Sequence, residues 1–232
     1  MSRALLILRN LAFYPVFYLG SIVITLTALA VAPFSTPKFR KVVRFWSRFH
    51  RWCVTDILRC PVRFEGAPVD GAVLYAIKHE SFFEAIDMPC LLNTPSVFAK
   101  QELFTIPGWG PAARAYGLVP VARDAGARAL MAMIREARGL AAEGRPLVIF
   151  PEGSRVEHGV RAPLRSGFAG LYKALKLPVV PVAVNSGPAY HRFWKEAHPI
   201  TYRFGETIPA GLDRAEIESR VTDAINALND RQ

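Results

Sequence analysis

Residues 11–32 form a 22-residue stretch without one charged side chain, and no other part of the chain limits its folding as strongly. As a helix rising about 1.5 Å per residue it is roughly 33 Å long, close to the ~30 Å hydrocarbon layer of a bilayer. Arg3 and Arg9 precede it; Lys38, Arg40, Lys41, Arg44, Arg48 and Arg51 follow it. Tyr14 and Tyr18 suit a membrane interface, and Pro15 falls near the helix start, where a missing N–H does least harm. A cleaved signal peptide is the weaker reading. Ala30-Val31-Ala32 resembles a cleavage site, yet the apolar run exceeds the roughly 7–15 residues of a signal core, and the basic run behind it favours cytoplasmic retention. The heavier positive flank puts the C-terminal side in the cytoplasm if the helix spans. A re-entrant or monotopic segment fits the same residues.

Residues 38–58 repeat the theme at helical spacing. Phe39, Val42, Val43, Trp46, Phe49, Cys53 and Ile57 share one face, with Lys41, Arg44, Arg48 and Arg51 on another. This is the pattern of a helix in the headgroup layer, flanked by the extra aromatics Phe45 and Trp52, and each basic residue there contributes on the order of 1 kcal/mol with anionic lipid. An ordinary surface helix docked on the globular part fits as well. The net charge of +10 suits nucleic acid, an acidic membrane or a phosphorylated substrate. Nucleic acid is disfavoured as a partner, because it leaves the uncharged stretch unexplained. Three cysteines, Cys53, Cys60 and Cys90, without Cys-x-x-Cys spacing, read neither as a disulfide framework nor as a zinc site.

Beyond residue 60 the pattern changes. Short β-type runs at 72–77, 96–99, 118–122, 146–150, 179–184 and 200–204 alternate with helical ones at 82–92, 125–143, 167–175 and 214–228. The helix over 125–143 is the clearest, with Leu130, Met133, Ile134, Ala137 and Leu140 on one face and Gly144 as its stop. The alternation predicts an α/β fold: a mixed, largely parallel sheet flanked by helices, with an N-terminal membrane-associated helical segment. We divide the chain into membrane-embedded and amphipathic helices at 1–60 and an α/β domain at 61–232. Ligands of such sheets bind at the C-terminal strand ends.

Several polar residues fall at those ends. His79 follows the run 72–77, within Lys78-His79-Glu80-Ser81-Phe82-Phe83-Glu84. Ser81 and Glu84 read first as a capping box, with Ser81 as N-cap and Glu84 at the third helical position. If His79 precedes the cap, the first turn brings imidazole and carboxylate together. Such a pair suits general-base chemistry, the carboxylate fixing one ring nitrogen and leaving the other to take a proton. Neither Gly-x-Ser-x-Gly nor His-Glu-x-x-His occurs, so a serine-hydrolase elbow and a zincin are unsupported and no metal is expected. Phe150-Pro151-Glu152-Gly153-Ser154-Arg155 follows the run 146–150. Its Pro-Glu-Gly alone is a turn signal, but Arg155 adds a bidentate cation suited to phosphate. Gly117-Leu-Val-Pro-Val-Ala-Arg123 places Arg123 at another strand end, and Lys100 ends the run 96–99. Singly each cation is a solvated charge; together they describe an anion pocket beside His79.

These blocks, in this order, resemble the glycerolipid acyltransferase family that includes the 1-acylglycerol-3-phosphate acyltransferases. His79 to Glu84 matches its His-to-acid block, Gly117 to Arg123 its Gly-to-Arg block, Phe150 to Arg155 its Phe-Pro-Glu-Gly-Thr-Arg block with Ser154 for Thr, and Val180-Pro181-Val182 its apolar block. Lys100-Gln-Glu-Leu103 to Pro107 is also similar. The resemblance covers roughly residues 72–185. Two positions depart: Glu84 stands where the family usually has Asp, and Pro120 where it has a larger apolar residue. The resemblance implies acyl transfer from a thioester, acyl-CoA or acyl-carrier protein, to a lysophospholipid hydroxyl, first of all lysophosphatidic acid giving phosphatidic acid. It implies His79 as base, oriented by Glu84, and Lys100, Arg123 and Arg155 around the acceptor phosphate. Glu152, Gly153 and Ser154 are expected to shape that pocket, Glu152 at the glycerol backbone. No cofactor is implied beyond the donor substrate. Membrane lipids are the expected partners, at the cell membrane with the site facing the cytoplasm. Another lysolipid acceptor, such as a lyso-aminolipid, or a non-catalytic membrane lipid-binding protein, are the alternatives.

Overall fold

A computed structural model describes residues 3–122, 126–190 and 193–230. The uncharged segment folds as one helix, α1 (Arg3–Val31), which also takes in Arg3 and Arg9. Ser35 caps the next helix, α2 (Thr36–Trp52), its hydroxyl accepting from the Lys38 N–H at 3.4 Å, and Pro37 stands in the first turn, where no intrahelical N–H is needed. The helix expected over 38–58 therefore stops at Trp52 and continues as a single π-helical turn, Cys53–Ile57. Arg51, expected on the basic face, instead reaches inward to the buried Asp87, with Nη2 2.6 Å from Oδ2.

The remaining chain runs β1 (Val62–Glu65), β2 (Leu74–Ile77), α3 (Phe83–Leu91), β3 (Ser96–Lys100), α4 (Trp109–Tyr116), β4 (Val119–Val121), α5 (Gly126–Ala142), β5 (Leu147–Ile149), α6 (Gly167–Leu175), β6 (Val179–Val184), α7 (Gly187–Tyr190), β7 (Ile200–Phe204) and α8 (Arg214–Ile225). The seven strands form one sheet in the order β1-β7-β6-β2-β5-β3-β4. β2 lies parallel to both β5 and β6, β3 parallel to β5 and β4, and β1 parallel to β7; β6 and β7 are antiparallel. The sheet is thus mixed and largely parallel, with helices on both faces.

Alternation along β2 builds two cores. Tyr75 and Ile77 face one side, packing with Phe83 and Met88 of α3, Val54, and Phe13 and Phe17 of α1. Leu74 and Ala76 face the other, with Leu171 of α6 and Ile217 and Val221 of α8. A third cluster joins Ala28 of α1, Phe39 of α2 and Tyr116 of α4. The helix pair therefore lies across one side of the sheet, and its apolar stripe is divided between the core and the surface.

Candidate active site

Every residue of β2 is buried, and the Lys78 N–H still bonds to Val182 O at 3.0 Å, so the chain leaves the sheet at a fixed point. His79 is the next residue. Its ring stacks on Phe150, centroids 4.2 Å apart, and Nδ1 lies 2.8 Å from Glu84 Oε1. The imidazole is 16% exposed while the Glu84 side chain is fully enclosed. A carboxylate only accepts, so Nδ1 carries a proton, and in the neutral imidazole the lone pair is then on Nε2. Among the described residues Nε2 has no hydrogen-bond partner, and His79 lines a cavity of about 1760 Å³.

Glu84 does two jobs with one carboxylate. Oε1 also accepts from the main-chain N–H of Glu80 at 2.6 Å and of Ser81 at 2.7 Å. Oε2 accepts from the hydroxyls of Ser186 at 2.6 Å and Ser81 at 3.0 Å. The reach-back to Ser81 is the expected capping-box bond, although the helix starts one residue later than a Ser81 cap requires, with Ser81 Oγ accepting from Phe83 N at 3.0 Å. Burial alone would raise the carboxyl's pKa. The hydrogen bond and charge of His79, the Ser186 hydroxyl and the Ser81 N–H outweigh burial and hold it below its ordinary value. Glu84 is therefore ionised at neutral pH, set to keep the Nδ1 proton in place.

The loop after β5 approaches the same cavity. Ser154 and Arg155 are exposed on its wall, and the Arg155 guanidinium lies 4.1 Å over the ring of Phe82. Gly153 has φ +71°, and a Cβ there would meet Arg165 Cγ at 2.7 Å; glycine is required for the turn and for the arginine that crosses it. Lys100 lines the cavity from the end of β3, half-exposed, 3.1 Å from Glu102. Arg123 lies outside the described residues. Glu152, expected to face the acceptor, has its carboxylate in the interior: Oε1 is 2.7 Å from the fully buried Lys78 Nζ, and Oε2 accepts from His79 N at 3.1 Å.

The structure thus brings His79, Glu84, Lys100, Gly153, Ser154 and Arg155 to one place, and Glu152 behind it. It adds residues that sequence reasoning passed over. Arg165 is a further cation on the cavity wall, 10 residues past Arg155 and outside any motif. Ser186 stands two residues past the end of β6, after Asn185, and its place just beyond a strand end was the signal available for it. Most of the remaining wall is apolar, with Ile24 and Leu29 of α1, Val42 and Trp46 of α2, Ile86 of α3 and Trp109 of α4. A cationic mouth beside a histidine, opening into an apolar trough, suits a phosphorylated molecule with a long hydrocarbon chain.

The chain is similar to known acyltransferases in sequence and in fold. The 1-acyl-sn-glycerol-3-phosphate acyltransferase of Pseudomonas aeruginosa is 27% identical over 195 residues, covering 82% of this chain and 74% of that one. The enzyme of the same name from Helicobacter pylori is 29% identical over 119 residues, 50% of each chain. The crystal structure of the 1-acyl-sn-glycerophosphate acyltransferase PlsC from Thermotoga maritima superposes with a TM-score of 0.76 at 21% identity, covering 96% of this chain and 95% of that one, which shows the shared fold. The acyltransferase family profile matches residues 60–185. That match takes in more than half of the chain, including the His79–Glu84 turn and the loop that ends at Arg155, and it makes this chain a member of the acyltransferase family.

Proposed function

We propose that this protein transfers an acyl chain from a thioester to the free hydroxyl of a lysophospholipid, with lysophosphatidic acid as acceptor and phosphatidic acid as product. The observation that carries the reading is the His79 Nδ1–Glu84 Oε1 pair, whose second ring nitrogen is left unbonded by the described residues beside the cavity. The names of the Pseudomonas and Helicobacter relatives support the choice of acceptor.

In this mechanism Nε2 of His79 takes the acceptor's hydroxyl proton as that oxygen attacks the thioester carbonyl. An imidazole is far too weak a base to ionise an alcohol beforehand, so proton removal and attack are concerted. The C–S bond then breaks, the acyl group stays on the acceptor oxygen, and the imidazolium returns its proton to the departing thiolate. Glu84 holds the ring and stabilises its transient positive charge. Lys100, Arg155 and Arg165 supply positive charge for the acceptor phosphate, with Arg123 as a fourth, and Gly153 and Ser154 shape the loop between them. No cofactor takes part; the donor, acyl-CoA or acyl-carrier protein, is a substrate. The exposed apolar side of α1 and the basic side of α2 hold the site at the cytoplasmic surface of the cell membrane.

The test is turnover of purified protein with acyl-CoA and with acyl-carrier protein over a panel of lysolipids. Lysophosphatidic acid is expected to be the best acceptor, and His79→Ala to lose about 10²–10⁴-fold in kcat with thermal stability near wild type. Preference for a phosphate-free lysolipid would redirect the acceptor assignment, and substantial turnover by His79→Ala would remove the general base.

A further inference from the structure

Lys78 is fully enclosed, yet none of its ammonium donors is wasted. Nζ lies 2.7 Å from Glu152 Oε1, 2.8 Å from Val160 O and 2.8 Å from Asn226 Oδ1, matching the three N–H bonds of a lysine. The second oxygen of Glu152 accepts from the main-chain N–H of His79 at 3.1 Å. The carbonyl of His79 accepts from Val156 N at 2.7 Å. The peptide groups on either side of the histidine are therefore both tied to residues 152–156, the segment that also carries Arg155.

A buried ion pair is a poor device for stability alone, since desolvation offsets much of its attraction and an apolar pair of the same volume often does as well. What it supplies is a fixed geometry. Glu152 is oriented by Lys78, and Lys78 is braced from behind by α8. Asn226, just past the end of that helix, is itself fixed: its Nδ2 donates to Thr222 O at 2.7 Å, and its Oδ1 accepts from Asn229 Nδ2 at 2.9 Å. The arrangement links the C-terminal helix to the histidine through side chains that do not line the cavity.

We propose that Lys78 and Glu152 are positioning residues that set the main chain of His79 against the Arg155 loop, with Asn226 as their anchor. The inference rests on the reading of His79 as the base. Glu152 then acts on catalysis through His79, not through contact with the acceptor.

The experiment uses the full-length protein in detergent and three variants: Glu152→Gln, Asn226→Ala, and Lys78→Met combined with Glu152→Gln, which leaves no unpaired buried charge. A glutamine offers one acceptor where the carboxylate offers two. Melting temperatures identify the assay range in which each variant is folded. Hydrogen exchange of the His79 amide is followed beside steady-state kinetics. The expected result for the two Glu152 variants is a kcat lower by about 10- to 100-fold, an acceptor KM within about twofold of wild type, and exchange at the His79 amide faster by about tenfold or more. Asn226→Ala, remote from the cavity, is expected to show the same pattern more weakly. A raised acceptor KM with kcat retained would make Glu152 a substrate contact and overturn the proposal. So would wild-type kcat and wild-type exchange in folded variants. Should wild-type protein turn over no lysolipid, the acyl-transfer reading falls, while the exchange measurement still decides whether the pair fixes His79.

Discussion

At the scale of single residues, the arm of Glu84 is fully used. Its carboxylate takes His79 Nδ1 and two main-chain N–H groups on one oxygen, and hydroxyls from Ser81 and Ser186 on the other. Ser186 comes from the end of β6, across the strand pair from β2, so the glutamate spans from the helix turn to a neighbouring strand end. An aspartate is shorter by one methylene and cannot hold both sets of partners without moving the turn. Glu84→Asp is therefore expected to lose about 10- to 100-fold in kcat, the usual effect of misplacing a catalytic group by about 1 Å, with acceptor KM nearly unchanged. Steady-state kinetics with the full-length protein check this, and kcat within twofold of wild type would mean that the imidazole is oriented by the stacked Phe150 ring instead. The sequence carried the residue types of this constellation but not its wiring. Lys78 and Glu152 stand 74 residues apart, and nothing in either local pattern announces that they pair.

At the scale of elements, periodicity located most of the fold and failed for identifiable reasons. The strand expected over 179–184 and the helix expected over 167–175 have those bounds in the structure, because each is an apolar run closed by clear breakers. β1 went unread: Val62-Arg63-Phe64-Glu65 is short and half-exposed, and its partner β7 arrives more than a hundred residues later. α4 went unread because Pro107, Gly108, Gly110 and Pro111 look like a loop. In the structure Gly110 is needed there, since a Cβ would come within 2.1 Å of Phe104 O. His50 lies on α2, among none of the residues that define its apolar or basic face in the sequence. It is fully buried against Phe17 and Phe83, with Nε2 2.8 Å from the Tyr190 hydroxyl. Burial, then the charges of Lys195 and Arg51, push its pKa down to about 3. In the unfolded chain it titrates near 6.5, so between those values the unfolded state holds a proton that the folded state refuses. The stability due to this neutral histidine is thus complete above pH 6.5 and is lost as pH falls toward 3. His50→Phe is expected to lower stability at pH 7 but to flatten its decline between pH 6.5 and 5. Denaturant melts of both proteins across that window test this, the carboxylates common to both cancelling in the difference. A decline as steep in the variant as in wild type, where the limit is about 1.4 kcal/mol per pH unit for one proton, would exclude His50 as its source.

At the scale of the whole molecule, the disposition of α1 follows from how it is held. The helix is long and apolar enough to cross a membrane, but it is docked along its length. Asn10 is buried, and its side chain bonds both N and O of Lys195 at 2.8 and 2.9 Å. Phe13 and Phe17 enter the core beneath the sheet. Ser21 Oγ accepts from Trp46 Nε1 at 2.9 Å, Gly20 lies against the ring of Phe49, and Ala28 packs with Phe39 and Tyr116. From Asn10 to Ala28 is roughly 27 Å of helix, nearly the thickness of the hydrocarbon layer, and one side of it meets α2 or the α/β part at Asn10, Phe13, Phe17, Gly20, Ser21 and Ala28. To stand across a bilayer with the charged surface of the same body in water, a helix fastened in this way would first have to release these contacts. The expected arrangement is in the plane of one leaflet, with Leu8, Leu11, Leu19, Ile22, Val23 and Leu26, all exposed in the protein, turned to the acyl chains. Leu29 and Ile24 on the same helix line the cavity, so an acyl chain entering from the leaflet need not pass through water. The expected outcome is that both ends of α1 lie on one side of the membrane. Single cysteines at Arg3 and Phe34, before and after the bulk of the helix, should then react with an impermeant maleimide from the same face of sealed vesicles; the native Cys53, Cys60 and Cys90 are buried or half-buried, which keeps the background low. Labelling of the two positions from opposite faces would show a spanning helix, and would require α1 to detach from Asn10 to Ala28 on entering the bilayer, at the expense of Phe13 and Phe17 in the core.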